Sequence, residues 1–211
     1  MAPTIESEIR ARRGLRRYFL REYHAQGLIR VLDVAHADGD FWGDLRKEFT
    51  LETYWQLPAV PKRGFPKLDP AEVLSQPGWQ ENVIDLHMKK SPWPAWTSLL
   101  PHIHQPTTVF LTIGRYRDAD ALALEVLGCA GMHMPLGLAK KMQPVAVPYF
   151  LHLAVESGLD VVEAGEITGF GSTRSMGMHL VPPGRTTEID EPGSKTLPRV
   201  ATAVFKPCAH E

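Results

Sequence analysis

The sequence predicts an α/β fold in which a mostly parallel sheet of seven strands ends in an antiparallel strand hairpin. Three observations carry that reading. From Gly27 onward, short apolar runs alternate with polar or proline-containing segments, the pattern of strands separated by helices. Helix-opening residues follow two of these runs: Asp69-Pro70, and Ser91-Pro92 after NVIDLHM. A cap followed by proline satisfies a helix N-terminus at no loss of hydrogen bonding. The last two runs, LDVVEAGEI and STRSMGMHLV, are separated only by TGFG, short enough to join a hairpin.

The elements follow in order. Ile9, Leu15, Phe19 and Tyr23 recur at helical spacing in the first segment, which also carries Arg10, Arg12, Arg13, Arg16, Arg17 and Arg21. Such a cluster is either a solvated helix face or a phosphate-binding row for RNA, DNA or an acidic partner, with Arg12, Arg13 and Arg16 as the contacts. LIRVLDV (28–34) is a buried strand reaching its acidic end at Asp33, followed by the loop AHADG and a helix from Asp40 to about Glu48. LETYWQL (51–57) is the second strand, and the two prolines of PAVPKRG make the next segment a loop. FPKLD (65–69) is a short third strand, with Asp69 capping the helix of PAEVLSQ. NVIDLHM (82–88) is the fourth strand and SPWPAWTSLL the helix after it. TTVFLTIG (107–114), rich in threonine and β-branched residues, is the clearest strand. Two or three helices fill 120–157, and the hairpin closes the fold. The chain therefore divides into a basic helical segment (1–27), the α/β domain (28–182) and a polar, proline-rich tail (183–211).

Composition narrows the function classes. With 44% hydrophobic and 22% charged residues the chain is ordinary for a globular protein. No apolar run approaches the roughly 18 residues of a membrane span, so no membrane partner is expected. The N-terminus has no apolar signal core and carries glutamates, which points to the cytoplasm. Cys129 and Cys208 lie far apart without a CxxC spacing, so neither zinc nor a disulfide framework is indicated. His102 and His104 share a face by alternation, but no third ligand is placed, and no metal is expected.

Four places between Ile29 and Val181 carry a family resemblance. VLDVAHADGDFW resembles an apolar strand with an acidic end and a glycine-rich turn; Ala37 stands where the first glycine is expected and Gly39 supplies the second. The second strand ends near Pro58, where an acidic residue would hold ribose hydroxyls. Asp69 in KLDPAEVL resembles an adenine contact, while its N-cap role explains it equally. VIDLHMKKSPWPAW resembles a strand-end Asp followed by a small-Pro-aromatic turn. Together these resemble the class I S-adenosylmethionine-dependent methyltransferases, as a divergent or degenerate member with the Rossmann-like fold of that superfamily.

The resemblance implies S-adenosylmethionine as cofactor, held by Asp33, Ala35, Ala37, Gly39, Asp69 and Asp85. It implies a nucleic-acid base as substrate, held by Ser91, Pro92 and Trp93 through stacking, although tryptophans at positions 93 and 96 also fit a core helix. Catalysis would consist of aligning donor and acceptor, with Asp85 orienting the acceptor and His87 accepting a proton. Asp85 and His87 point to the same side of their strand. Three readings stay open: a methyltransferase acting on RNA or DNA, an inactive relative serving as a binding or scaffold subunit with a protein partner or a second copy, and an α/β enzyme using the same crevice for another ligand or a different substrate class such as a small molecule or protein.

Overall fold

The computed structural model of the protein describes residues 5–35, 42–57, 68–87, 92–113, 150–167 and 174–184. Helix α1 (Ile5–Tyr23) opens with Glu6 and Glu8 and closes with Arg21, charges that oppose the helix macrodipole at both ends. Strand β1 (Ile29–Ala35) follows, then the single turn α2 (Leu45–Glu48), β2 (Leu51–Gln56), α3 (Pro70–Leu74), β3 (Val83–His87), α4 (Trp93–Leu99), β4 (Thr107–Ile113), β5 (Asp160–Ile167) and β6 (Arg174–Val181). A further helical stretch spans 150–156.

The strands form one sheet in the order β2-β1-β3-β4-β6-β5. Strands β2, β1, β3 and β4 run parallel, and β6 pairs antiparallel with both β4 and β5. All five residues of β3 are buried, as a central strand covered on both faces requires. Alternation sends Val31, Val83 and Phe110 to one face, where Leu15, Phe19 and Leu20 of α1 cover them. Leu32, Val34, Ile84, Leu86, Val109 and Leu111 face the other way, into a core with α3, α4, Phe150 and Ala154.

Gly177 in β6 permits the closest approach in the first of these layers. A Cβ there would lie 2.9 Å from Phe19 Cε2 and 3.0 Å from Phe110 Cε1. Phe19 and Phe110 meet edge to face at 5.9 Å over that glycine, the geometry favoured by aromatic quadrupoles.

The fold expectation is corrected in two respects. The sheet is six-stranded and mixed among the described residues, not seven-stranded and mostly parallel. The segment read as a third strand lies largely outside the described residues; its last two, Leu68 and Asp69, are not strand and lead straight into α3, where the Asp69 side chain accepts a hydrogen bond from the Ala71 N–H. The Asp69 backbone is extended, as is usual for an N-cap, but it belongs to no strand of the sheet. The helix read over 40–48 is also shorter, confined to Leu45–Glu48. Of the helices read over 120–157, only the part from 150 onward falls within the described residues. The arginine-rich α1 packs directly on the sheet, against β4, β5 and β6.

Candidate functional site

The chain passes from β1 outward to β2 and then returns to place β3 on the opposite side of β1. Strand order therefore reverses between β1 and β3, and in open parallel sheets ligands bind outside the carboxyl ends of the strands at such a switch point. Register places Asp33 beside Asp85 and Ala35 beside His87. By alternation Asp33, Asp85 and His87 belong to the α1 face of the sheet. Strand β2 adds Gln56 beside Asp33 and Tyr54 two pairs earlier, beside Val31.

Asp33 is buried and accepts a 2.6 Å hydrogen bond from the Tyr54 hydroxyl and a 3.5 Å bond from Gln56 Nε2. Asp85 is held more completely. Arg16 Nε donates to Oδ2 at 2.7 Å and Nη2 to Oδ1 at 2.8 Å, while Trp42 Nε1 donates to Oδ2 at 2.9 Å. The side chains of Arg16 and Asp85 are each 1% exposed. Arg16 also donates from Nη1 to the Arg12 carbonyl at 3.1 Å, and its guanidinium carbon lies 5.1 Å from the Phe110 ring centroid. This bidentate fork matches the planar carboxylate, and the extra bonds satisfy donors that burial would otherwise leave exposed to loss. Two residues read from the sequence as parts of different sites, a phosphate contact and a carboxylate that orients the acceptor, are thus one buried ion pair anchoring α1 to β3.

The remaining arginines of α1 are also engaged. Arg10 meets Glu6 at 3.4 Å, Arg12 pairs with Glu8, and Arg13 pairs with Asp44. Arg17 and Arg21 reach opposite oxygens of Glu48 at 2.7 and 2.6 Å. Hydrogen bonding from Arg17, with that from Arg21, holds the Glu48 carboxyl below its usual range. Burial lowers the Arg12 pKa, and Glu8 opposes that shift. The cationic row is therefore matched by carboxylates of α1, α2, β3 and the turn at Asp44, and much of it joins α1 to its neighbours.

His87, only 9% exposed, is the last residue of β3. Pro92 is buried at the N-cap of α4. Trp93 and Trp96 are buried, with ring centroids 5.1 and 6.1 Å from Phe150; the structure uses both as core. Ala37, Gly39 and Ser91 lie outside the described residues, as does the side chain of Ala35. The rings of His102 and His104 stand 6.4 Å apart, and no group of three or more His, Cys, Asp or Glu among the described residues could hold a metal. No helix among them is long and apolar enough to cross a membrane. Of the carboxylates that the resemblance assigned to S-adenosylmethionine, Asp33 is engaged by Tyr54, Asp69 by its own helix and Asp85 by Arg16.

Sequence reading missed Trp42, Tyr54 and a buried polar chain of His24, Thr108 and His179. Alternation in LETYWQ was the available signal for Tyr54, since it shares a face with Gln56. Trp42 and the histidine chain left none, because their partners lie 43 to 84 positions away.

No family model matches this chain, and no curated protein matches it. Among solved structures, the chain is similar to a protein described as a putative hemolysin from Lactococcus lactis, with 14% identity, a TM-score of 0.54, and coverage of 83% of this chain and 88% of that one. A second, a putative hemolysin from Streptococcus thermophilus, shares 8% identity with a TM-score of 0.46, covering 82% of this chain and 66% of that one. The first of these likenesses overturns the family expectation: that protein is described as a hemolysin, not a methyltransferase, and the methyl-transfer function and the nucleic-acid methyltransferase class read from the motifs are withdrawn with it. At this level of identity the likeness is one of fold alone.

Proposed function

We propose that this chain is a ligand-binding α/β protein whose site is the crevice beyond β1 and β3. The observation that carries the reading is the reversal of strand order between these two strands, with His87 at the carboxyl end of β3 and Asp33 two residues before the end of β1. Open sheets of parallel strands place ligands at such a switch point because only there do adjacent connections separate. Asp33 is already oriented by Tyr54, and His87 contributes an imidazole able to donate or accept a hydrogen bond. Both suit a small polar ligand.

The test is calorimetric titration of the full chain with S-adenosylmethionine, ATP and NAD as probes. Micromolar binding of one probe, weakened at least about tenfold by His87→Gln with an unchanged melting temperature, supports the crevice. Absence of heat with all three at millimolar concentration, together with unperturbed amide signals of β1 and β3, overturns it.

A protein partner or second copy is a second reading, favoured by Trp55, which is 62% exposed on the outer strand β2. Exposed tryptophans of this kind are enriched in interfaces. Sedimentation of wild type and Trp55→Ser distinguishes it: a monomer in both sinks self-association. Nucleic-acid binding is disfavoured, since the arginines that would contact phosphate already carry carboxylate partners.

A further inference from the structure

Where the last turn of α1 meets β4 and β6, one threonine hydroxyl stands between two imidazoles. His24 Nε2 is 2.9 Å from Thr108 Oγ1, which is 3.0 Å from His179 Nδ1. Thr108 and His179 are cross-strand partners in the β4–β6 pair. All three residues are buried. The Tyr23 ring stacks on His179 at 3.9 Å and 7°, and its hydroxyl donates to Glu163 Oε2 at 2.6 Å; Tyr18 donates to the other oxygen at 2.8 Å.

A hydroxyl has one proton to give, so this chain needs a neutral imidazole lone pair at one end. With both rings protonated, every ring nitrogen is a donor and the threonine proton loses its acceptor. The two cations would stand with ring centroids 6.0 Å apart in a site from which water is excluded, where like charges repel strongly. The ionisable groups facing the cluster are Tyr18, Glu22 and Tyr23 of α1 and Glu163 of β5. Strand β4 and the turn 24–28 hold no other ionisable residue than His24, and Arg174 lies at the far end of β6. Both Glu163 oxygens are occupied by tyrosine hydroxyls, so the carboxylate is poorly placed to neutralise an imidazolium.

We propose that His24, Thr108 and His179 form an acid-sensitive latch: when both rings take up protons, residues 18–24 lift from β4 and β6, while the Arg16–Asp85 pair keeps the rest of α1 on β3. Lifting exposes the aromatic face of Phe19 and the edge of Phe110. Burial supports the mechanism by depressing His24 to about 4 and His179 to about 3, the latter also through His24. Because the folded values lie below the unfolded one, the closed form is favoured above pH 6.5 and loses that advantage as the pH falls.

Amide hydrogen exchange of the full chain, corrected for intrinsic rate, tests this between pH 6.5 and 5, above the carboxylate range. Uptake of two protons raises the opening constant of residues 18–24 on the order of 200-fold over that interval, with β1 and β3 amides unchanged. In His24→Gln/His179→Asn, whose amides replace the bonding nitrogens without a titration, the response is flat. Should the double variant not fold, His24→Gln alone retains one proton and a rise of about 15-fold. Constant protection of 18–24 in the wild type, parallel loss across the whole sheet, or an undiminished response in the variants overturns the latch.

Discussion

Arg16 and Asp85, 69 positions apart in the chain, form a two-bond ion pair at 2.7 and 2.8 Å with both side chains 1% exposed. Desolvation makes such a pair weak as a source of net stability, yet severe to break, because the surviving partner is left charged and uncompensated. Asp85→Asn and Arg16→Met should each destabilise the protein by about 3–5 kcal/mol. Arg16→Met/Asp85→Leu should recover much of that loss, since neither charge remains buried. Urea denaturation of the three variants checks this, and a double variant no better than the worse single one would refute the account.

Gly177 is a second point of intolerance. Its missing Cβ is what allows Phe19 and Phe110 to meet above β6. Gly177→Ala should lower stability by about 1–3 kcal/mol through overpacking. Adding Phe19→Leu should offset part of the loss, because the closer of the two obstructing rings is removed. Thermal unfolding measures both, and independent, additive effects would argue against a shared clash.

The outer arginines behave differently. Arg17 and Glu48 are 35% and 29% exposed and lie in reach of solvent, where an ion pair contributes less than about 1 kcal/mol and is screened by salt. Arg13→Ala/Arg17→Ala should therefore reduce stability slightly, with a difference from wild type that shrinks as sodium chloride is raised. Retention on RNA should not change. A marked, salt-dependent loss of retention would restore a phosphate-binding role to the row.

Alkaline pH provides a fourth test. The hydrogen bond to Glu163 raises the Tyr18 hydroxyl to about 12, and burial together with the same carboxylate raises Tyr23 further. A folded pKa above the unfolded value means that the contribution to stability is complete below pH 10 and is lost as the pH rises through the folded value. Ultraviolet titration should show fewer than five tyrosines ionising before pH 11, from the five in the chain. Tyr18→Phe/Tyr23→Phe should remove the late component; its persistence would assign that component to other tyrosines.

Local chemistry was legible in the sequence. The apolar and β-branched run at 107–114 contains β4, LETYWQL contains β2, and NVIDLHM contains β3, since strand formation follows from alternation and side-chain branching within a few residues. Asp69 declared itself a helix cap for the same reason, the bond it accepts being only two residues away. Asp85 was read as a catalytic and cofactor-binding residue and the arginines of α1 as phosphate contacts, while the pairing of Arg16 with Asp85 was not visible. Whether a carboxylate faces a ligand or an arginine depends on which helix the sheet carries on that face, a relationship set across 69 positions. The motifs also suggested a family that the structural neighbours do not support, because a strand, an acidic end and a short turn recur wherever a parallel strand enters a helix. By itself, then, the sequence determined where most of the strands run and which side chains needed a partner; the tertiary structure decided the order of the described strands, turned Arg12 and Arg16 inward, and buried two histidines around one hydroxyl, because burial and pairing of charge depend on distant segments meeting.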